Sequence, residues 1–244
     1  MFHVRFLELS LALLKAARAA GEASEAAARK QQEEKVKRIL SSISSPNMMR
    51  TVVNYTDEEG ESSLFFACLG EDNINIVLAL LSKGCDVNTQ TNDNHDIPGD
   101  TPLIESCLNG HVEIAKALLS HNANVGLQRK SKLDATLITA QKGHFEILEL
   151  LTEKDPSYVD RKGPLGKTPL ITCAFNGHLR IVRALTEKWN VNVNAQDDGG
   201  FTALYCASQE NHIEVVDYLL QHGANPKLLS LIHISEPTRR YAIS

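Results

Sequence analysis

The chain has 244 residues, enough for one large domain or two small ones, and its 43% hydrophobic and 23% charged residues are the balance of a soluble globular protein. Its net charge of −5 argues against general nucleic-acid binding, which needs cationic surface to displace counterions. Aromatics are only 5%, so small and branched aliphatic side chains must fill the core, which suits thin helical layers. The five cysteines, Cys68, Cys85, Cys107, Cys173 and Cys206, contain no C-x-x-C pair. That pattern argues against a disulfide framework or a zinc site and points to a reducing compartment, cytoplasm or nucleus.

From the start, Phe6 to Ala20 reads as a helix whose apolar run, Leu9 to Leu14, lies between Glu8 and Lys15. The run is too short for a secretory signal, and no segment of 18 uncharged apolar residues is present to span a membrane. Glu22 to Ser42 is rich in Ala, Glu, Lys and Arg, all good helix formers. Residues 1–50 are therefore expected to be an N-terminal helical segment, with about 30–50 forming a divergent cap on the remainder of the chain.

Beyond this segment the chain repeats. Asn109-Gly110-His111-Val112-Glu113-Ile114 recurs as Lys142-Gly143-His144-Phe145-Glu146-Ile147, Asn176-Gly177-His178-Leu179-Arg180-Ile181 and Glu210-Asn211-His212-Ile213-Glu214-Val215, the histidines 33, 34 and 34 residues apart. Thr101-Pro102-Leu103, Thr168-Pro169-Leu170 and Thr202-Ala203-Leu204 precede three of these copies. Lys83-Gly84-Cys85-Asp86-Val87-Asn88, His121-Asn122-Ala123-Asn124-Val125 and His222-Gly223-Ala224-Asn225 close three units. Thr before Pro starts a helix, because the hydroxyl caps free N–H groups and Pro at the first helical position has no donor to satisfy. Ala and Cys keep that helix thin, Gly-His breaks the chain, and Ile114, Leu118 and Leu119 mark one face of a second helix. One such unit cannot bury its apolar face alone, so neighbours must stack.

This period and these motifs resemble the ankyrin repeat. The resemblance implies an all-α solenoid of helix-turn-helix units joined by β-hairpin loops. Five repeats are expected at about 57–91, 92–127, 128–159, 160–195 and 196–227, within a domain spanning 51–228. The sequence departs from the family pattern in places. The family's His after T-P-L is replaced by Phe65, Ile104, Leu137, Ile171 and Tyr205, so apolar packing must substitute for a polar tether. Asp134-Ala135-Thr136 stands where T-P-L belongs, which marks the third repeat as the weakest. Asn92 to Asp100 is an insertion, and Asp72 and Asn73 stand in place of Gly-His in the first repeat.

The resemblance also implies function: a non-enzymatic module or adaptor that binds another protein through the groove of its stack. The alternative is the regulatory arm of a larger enzyme or channel truncated at its C-terminus. His111, His144, His178 and His212 occupy one slot per layer and are read as structural, bonding loop backbone. No nucleotide, zinc-protease or nucleophile-elbow motif occurs; Gly163 to Thr168 has the wrong glycine spacing for a phosphate loop and reads as a hairpin tip. No catalytic residue, cofactor, metal, nucleic acid, membrane or small-molecule substrate is expected, and the chain is expected to be monomeric.

Partner-facing positions in the family include the pair before Gly-His, here Gln141 and Lys142, Phe175 and Asn176, and Gln209 with Glu210. The middle tips add Arg161, Lys162 and Lys167 beside Lys130 and Lys132, whereas Asp57, Glu58, Glu59 and Glu61 in the first tip and Asp197 and Asp198 in the fifth are acidic. The candidate partner-binding residues are Phe175, Asn176, Lys142, Gln141, Arg161, Lys162, Lys167 and Gln209, a basic centre suited to an acidic partner. Finally, residues 229–239 continue no repeat and agree with a translated transposase adaptor of sequencing libraries, so 229–244 are expected to be non-native.

Overall fold

A computed structural model describes residues 2–23 and 26–228, without the side chains of residues 2–6, and the expected non-native tail, 229–244, lies outside the described residues. The chain divides between Lys130 and Ser131 into two compact units. Among the described residues there are thirteen α-helices and no strand; the isolated antiparallel bridges Thr56–Ser62 and Gln196–Thr202 close two of the tips.

The first unit holds α1 (Phe2–Gly21), α2 (Ala26–Ser41), α3 (Pro46–Val53), α4 (Ser63–Ala67), α5 (Ile74–Ser82), α6 (Pro102–Asn109) and α7 (Val112–Ser120). Helices α4 and α5 form one layer and α6 and α7 the next, α4 packing on α6 and α5 on α7. The N-terminal segment continues this logic, because α1 packs on α2, α3 and α4, while α2 packs on α5. Leu13, Ala16, Ala17 and Ala20 of α1 and Val36 and Leu40 of α2 are buried. Helices α1 and α2 thus both contact the first repeat, α1 through α4 and α2 through α5. The apolar residues of α1 recur at three- and four-residue spacing, and Phe66 sits against Leu14 and Ala17.

The second unit holds α8 (Ala135–Lys142), α9 (Phe145–Lys154), α10 (Pro169–Phe175), α11 (Leu179–Glu187), α12 (Ala203–Gln209) and α13 (Ile213–Gln221). Inner helices α8, α10 and α12 pack in series, and outer helices α11 and α13 pack together behind them. One apolar core runs through it from Ala140 and Leu148 to Leu219 and Ala224. Each fully buried Leu or Ile contributes about 1.5–3 kcal/mol relative to exposure.

Every inner helix of the repeats begins on a side-chain cap. Thr101 Oγ1 accepts from Ile104 N–H at 3.0 Å, Thr168 from Ile171 at 3.3 Å and Thr202 from Tyr205 at 3.2 Å. Ser62 does the same for Phe65 at 3.1 Å and Asp134 for Leu137 at 3.0 Å. The third repeat, expected to be weakest for want of T-P-L, therefore starts on a cap of equal geometry; such a cap contributes about 1 kcal/mol. Where the family's tethering His is replaced, Phe65, Ile104, Leu137 and Ile171 are buried, and apolar packing does take over.

Polar side chains tie the second, fourth and fifth repeats each to the one before. The His111 Nδ1 lies 2.9 Å from Cys68 O, His178 Nε2 2.9 Å from Gln141 O, and His212 Nε2 3.0 Å from Phe175 O. Each ring nitrogen donates to a carbonyl at the end of the preceding inner helix, one of the acceptors that a helix terminus leaves unmatched. On the opposite side of the layer, Asn54 accepts from Asp86 N–H, Asn88 from Asn124 N–H and Asn194 from Asn225 N–H.

The imidazole seat requires glycine in the preceding repeat. Gly143 and Gly177 have φ of +84° and +75°, and a Cβ there would stand 2.7 Å from the His178 ring and 2.6 Å from the His212 ring. Gly177→Ala is therefore expected to lose both the tolerated backbone conformation and the histidine contact. Gly223→Ala, at φ +88° with no atom within 4 Å of the added carbon, meets only the backbone strain of about 1–2 kcal/mol. Urea denaturation of the two variants should place Gly177→Ala clearly below Gly223→Ala; equal midpoints would remove the seat argument.

Candidate functional site

In the second unit the tips of the fourth and fifth repeats are tied together by Asp198 N–H donating to Leu165 O at 2.9 Å. Between tips and inner helices lies an open groove of about 430 Å³ lined by Leu165, Lys167, Phe175, Asp198, Phe201, Tyr205 and Gln209, among others. Its floor is aromatic: Phe201 stacks on Tyr205 with centroids 4.6 Å apart and planes 25° apart. Phe175 is 39% exposed at the end of α10, and Lys167 Nζ stands 5.3 Å from its ring centroid. Leu165, 71% exposed, forms the rim at the point of the tip.

The tip geometry that presents Phe201 is set by Asp197. Its Oδ1 accepts from Gly199 N–H and from Phe201 N–H, both at 2.9 Å, and the backbone of Asp197 and Phe201 pairs at 3.0 Å. The aromatic therefore enters α12 on a fixed turn, with its N–H satisfied by side chain rather than water. Lys167 and Asp198 supply opposite charges beside an apolar floor, an arrangement suited to an apolar side chain flanked by polar groups.

Of the residues expected from the sequence, Phe175, Lys167 and Gln209 meet in this groove. Gln141 and Lys142 are exposed at the end of α8, one repeat away, and line no part of it. Asn176 is half-buried and donates back to Thr172 O at 2.8 Å. Arg161 Nη1 lies 3.9 Å from Asp134 Oδ2, against a carboxylate that is itself buried and capping α8. Lys162 Nζ donates to Gln196 O of the next repeat at 2.9 Å. Lys130 pairs with Asp93 at 2.6 Å in the first unit. Most of the basic centre read from the sequence is thus engaged within the fold. Leu165, Phe201 and Tyr205 were not among the expected residues; a tip carrying Leu165 and an aromatic immediately before Thr202 were their signal.

The other chemically active side chains sit in packing positions. Cys68, Cys107, Cys173 and Cys206 are buried, and Cys85 is half-buried. Burial pushes the Cys206 thiol up to about 11 and Cys85 up to about 12, and raises Cys68 and Cys173 as well. These thiols are protonated at neutral pH, the opposite of an activated nucleophile. Among the described residues, no helix is long and apolar enough to cross a membrane.

Because Arg161 faces Asp134, charge reversal there should act on stability before it acts on any partner. Arg161→Glu is expected to cost about 1–3 kcal/mol by setting two carboxylates against each other. Lys142→Glu, at an exposed position, should leave the midpoint of urea denaturation unchanged. A stable Arg161→Glu protein would show that the contact contributes little.

The family description "Ankyrin repeats (3 copies)" matches residues 24–129, 88–162 and 136–229. The chain is 34% identical over 83 residues to inversin of Gallus gallus, covering 34% of this chain and 7% of that protein. It is 32% identical over 110 residues to ankyrin repeat and KH domain-containing protein 1 of Homo sapiens, covering 44% and 4%. It is 30% identical over 122 residues to ankyrin repeat and KH domain-containing protein mask-1 of Caenorhabditis elegans, covering 50% and 4%. The chain thus spans less than a tenth of the length of each of these relatives. With the family match running over most of the sequence, with capped inner helices in every repeat and histidine ties in three, the chain belongs to the ankyrin repeat family.

Proposed function

We propose that this chain is a non-catalytic protein-interaction module that takes its partner in the groove of the fourth and fifth repeats. The observation that carries the reading is the aromatic floor of Phe175, Phe201 and Tyr205, left open to solvent on rigid elements. Exposed aromatics held in fixed geometry lose little conformational freedom on binding and are the usual anchors of protein interfaces. The partner is a protein segment that inserts an apolar side chain beside Phe175 and sets polar groups toward Lys167 and Asp198. The chain acts as a monomer, without cofactor or metal in that groove, inside the cell. Five free cysteines support a reducing compartment, cytoplasmic or nuclear. The relatives carry their matching repeats within much longer chains. That favours a second reading, in which this chain is the regulatory arm of a larger enzyme or channel and the same groove docks its target.

Peptide binders selected from a displayed library against the full chain, then titrated into isotope-labelled protein, test the groove. Amide shifts are expected at Lys167, Phe175, Tyr205 and Gln209. Phe175→Ala should weaken the binders at least about tenfold, or about 1.4 kcal/mol, and Gln209→Ala less. Binders that move none of these amides and hold Phe175→Ala as tightly as the parent would sink the proposal.

A further inference from the structure

The insertion in the second repeat, Asn92 to Asp100, serves no purpose in the stacking of helices, yet it is held in detail. Thr91 closes its base, donating its N–H to Asp100 O and accepting from Gly99 N–H, both at 2.9 Å, and Asp100 pairs with buried Arg129. Its outer limb is lashed to the tip of the first repeat: Asn92 N–H donates to Glu59 O at 2.9 Å, and the Asn92 and Asn94 amides both donate to Glu58 O at 3.0 Å. This brings His95 beside two carboxylates that flank Gly60. The His95 Nε2 lies 3.4 Å from Glu61 Oε1, and one ligand atom from each of Glu59, Glu61 and His95 falls within 4.8 Å of the others.

Glu61 is only 6% exposed, and its Oε2 is buried without a hydrogen-bond donor. A buried carboxylate oxygen in that state is costly unless a cation satisfies it. Burial, with Asp57 and Glu59 nearby, pushes the Glu61 carboxyl up to about 6. Asp57 cannot relieve it, because a carboxylate has no hydrogen to donate and its Oδ1 already accepts from the N–H groups of Glu59 and Glu61. The imidazole turns Nε2 toward the carboxylates. Its Nδ1 lies 3.0 Å from both the carbonyl oxygen and the N–H of Ile97, and in the tautomer that donates to Ile97 O the Nε2 lone pair is presented to the carboxylates. The ring edge packs at 80° against Phe65, which fixes its plane.

We propose that Glu59, Glu61 and His95 bind a zinc ion, with water as the fourth ligand, pinning the inserted loop to the first tip. Two carboxylate oxygens and one imidazole nitrogen suit tetrahedral zinc at about 2.0–2.2 Å. The exposed Glu59 side chain is free to close the remaining distance. Sequence reading for cysteine pairs could not find this site, since it contains no cysteine and joins two repeats.

Isothermal titration of zinc chloride into the full chain, first stripped with a chelator, tests it. One equivalent should bind, and zinc should raise the melting temperature. His95→Ala should abolish this site. Glu59→Gln, at an exposed position where folding is not at stake, should weaken it at least about tenfold, the lower bound for loss of even an outer-shell partner. Cobalt in place of zinc should give visible bands without thiolate charge transfer. Absence of stoichiometric binding, unchanged affinity in folded Glu59→Gln and His95→Ala proteins, or a thiolate band reporting cysteine ligation would each overturn the assignment.

Discussion

The interaction on which the repeats depend is the bond from a histidine ring to the last carbonyls of the inner helix in the repeat before. An inner helix of seven or eight residues, such as α10 or α12, has few internal bonds and leaves up to four carbonyls without a partner. Burying such an end without a donor would cost more than the short helix gains. The imidazole of His178 or His212 supplies that donor from the next layer and lies flat where Gly143 or Gly177 has no side chain. Stacking and hydrogen bonding are therefore one event: a layer completes its neighbour's helix only when it packs on it.

The same constraint positions the aromatic groove. With the inner helices packed side by side and tied by these bonds, the end of α10 and the first turn of α12 line one groove. Phe175 is the last residue of α10, its carbonyl is engaged by His212, and its ring remains exposed. Lys167 lies over its ring. On the proposed reading, the partner surface is a by-product of how the stack closes.

Much of this architecture was legible in the residues. Thr168-Pro169-Leu170 named a helix start, Gly177-His178 its end, and the 33- and 34-residue spacing gave the layer order. Less visible were substitutions that keep a role while changing the residue. Asp134 caps α8 as threonine caps its counterparts. Asn73 replaces the turn histidine by donating to Ala67 O at 3.2 Å within its own repeat. Charge was the least legible property. Arg161 and Lys162 read as a free basic patch, but one faces the buried Asp134 and the other a backbone carbonyl. Sequence shows the sign of a side chain and not what it is spent on. The groove residues Phe201 and Leu165 were hidden for a related reason, since tip conformation, and not periodicity, decides their exposure.

The inserted loop at Asn92 to Asp100 has a consequence for how such a chain can change over generations. The ties between layers fall at the helix ends, at His111 on one side and at Asn88 and Asn124 on the other. Thr91 and Thr101 enclose nine residues where the equivalent Asp57 and Ser62 enclose four, and the five extra shift neither tie nor the cap on α6. Tip length is therefore uncoupled from layer register. New recognition chemistry can be acquired by lengthening a tip while the scaffold's inheritance stays intact, and selection can test each addition separately.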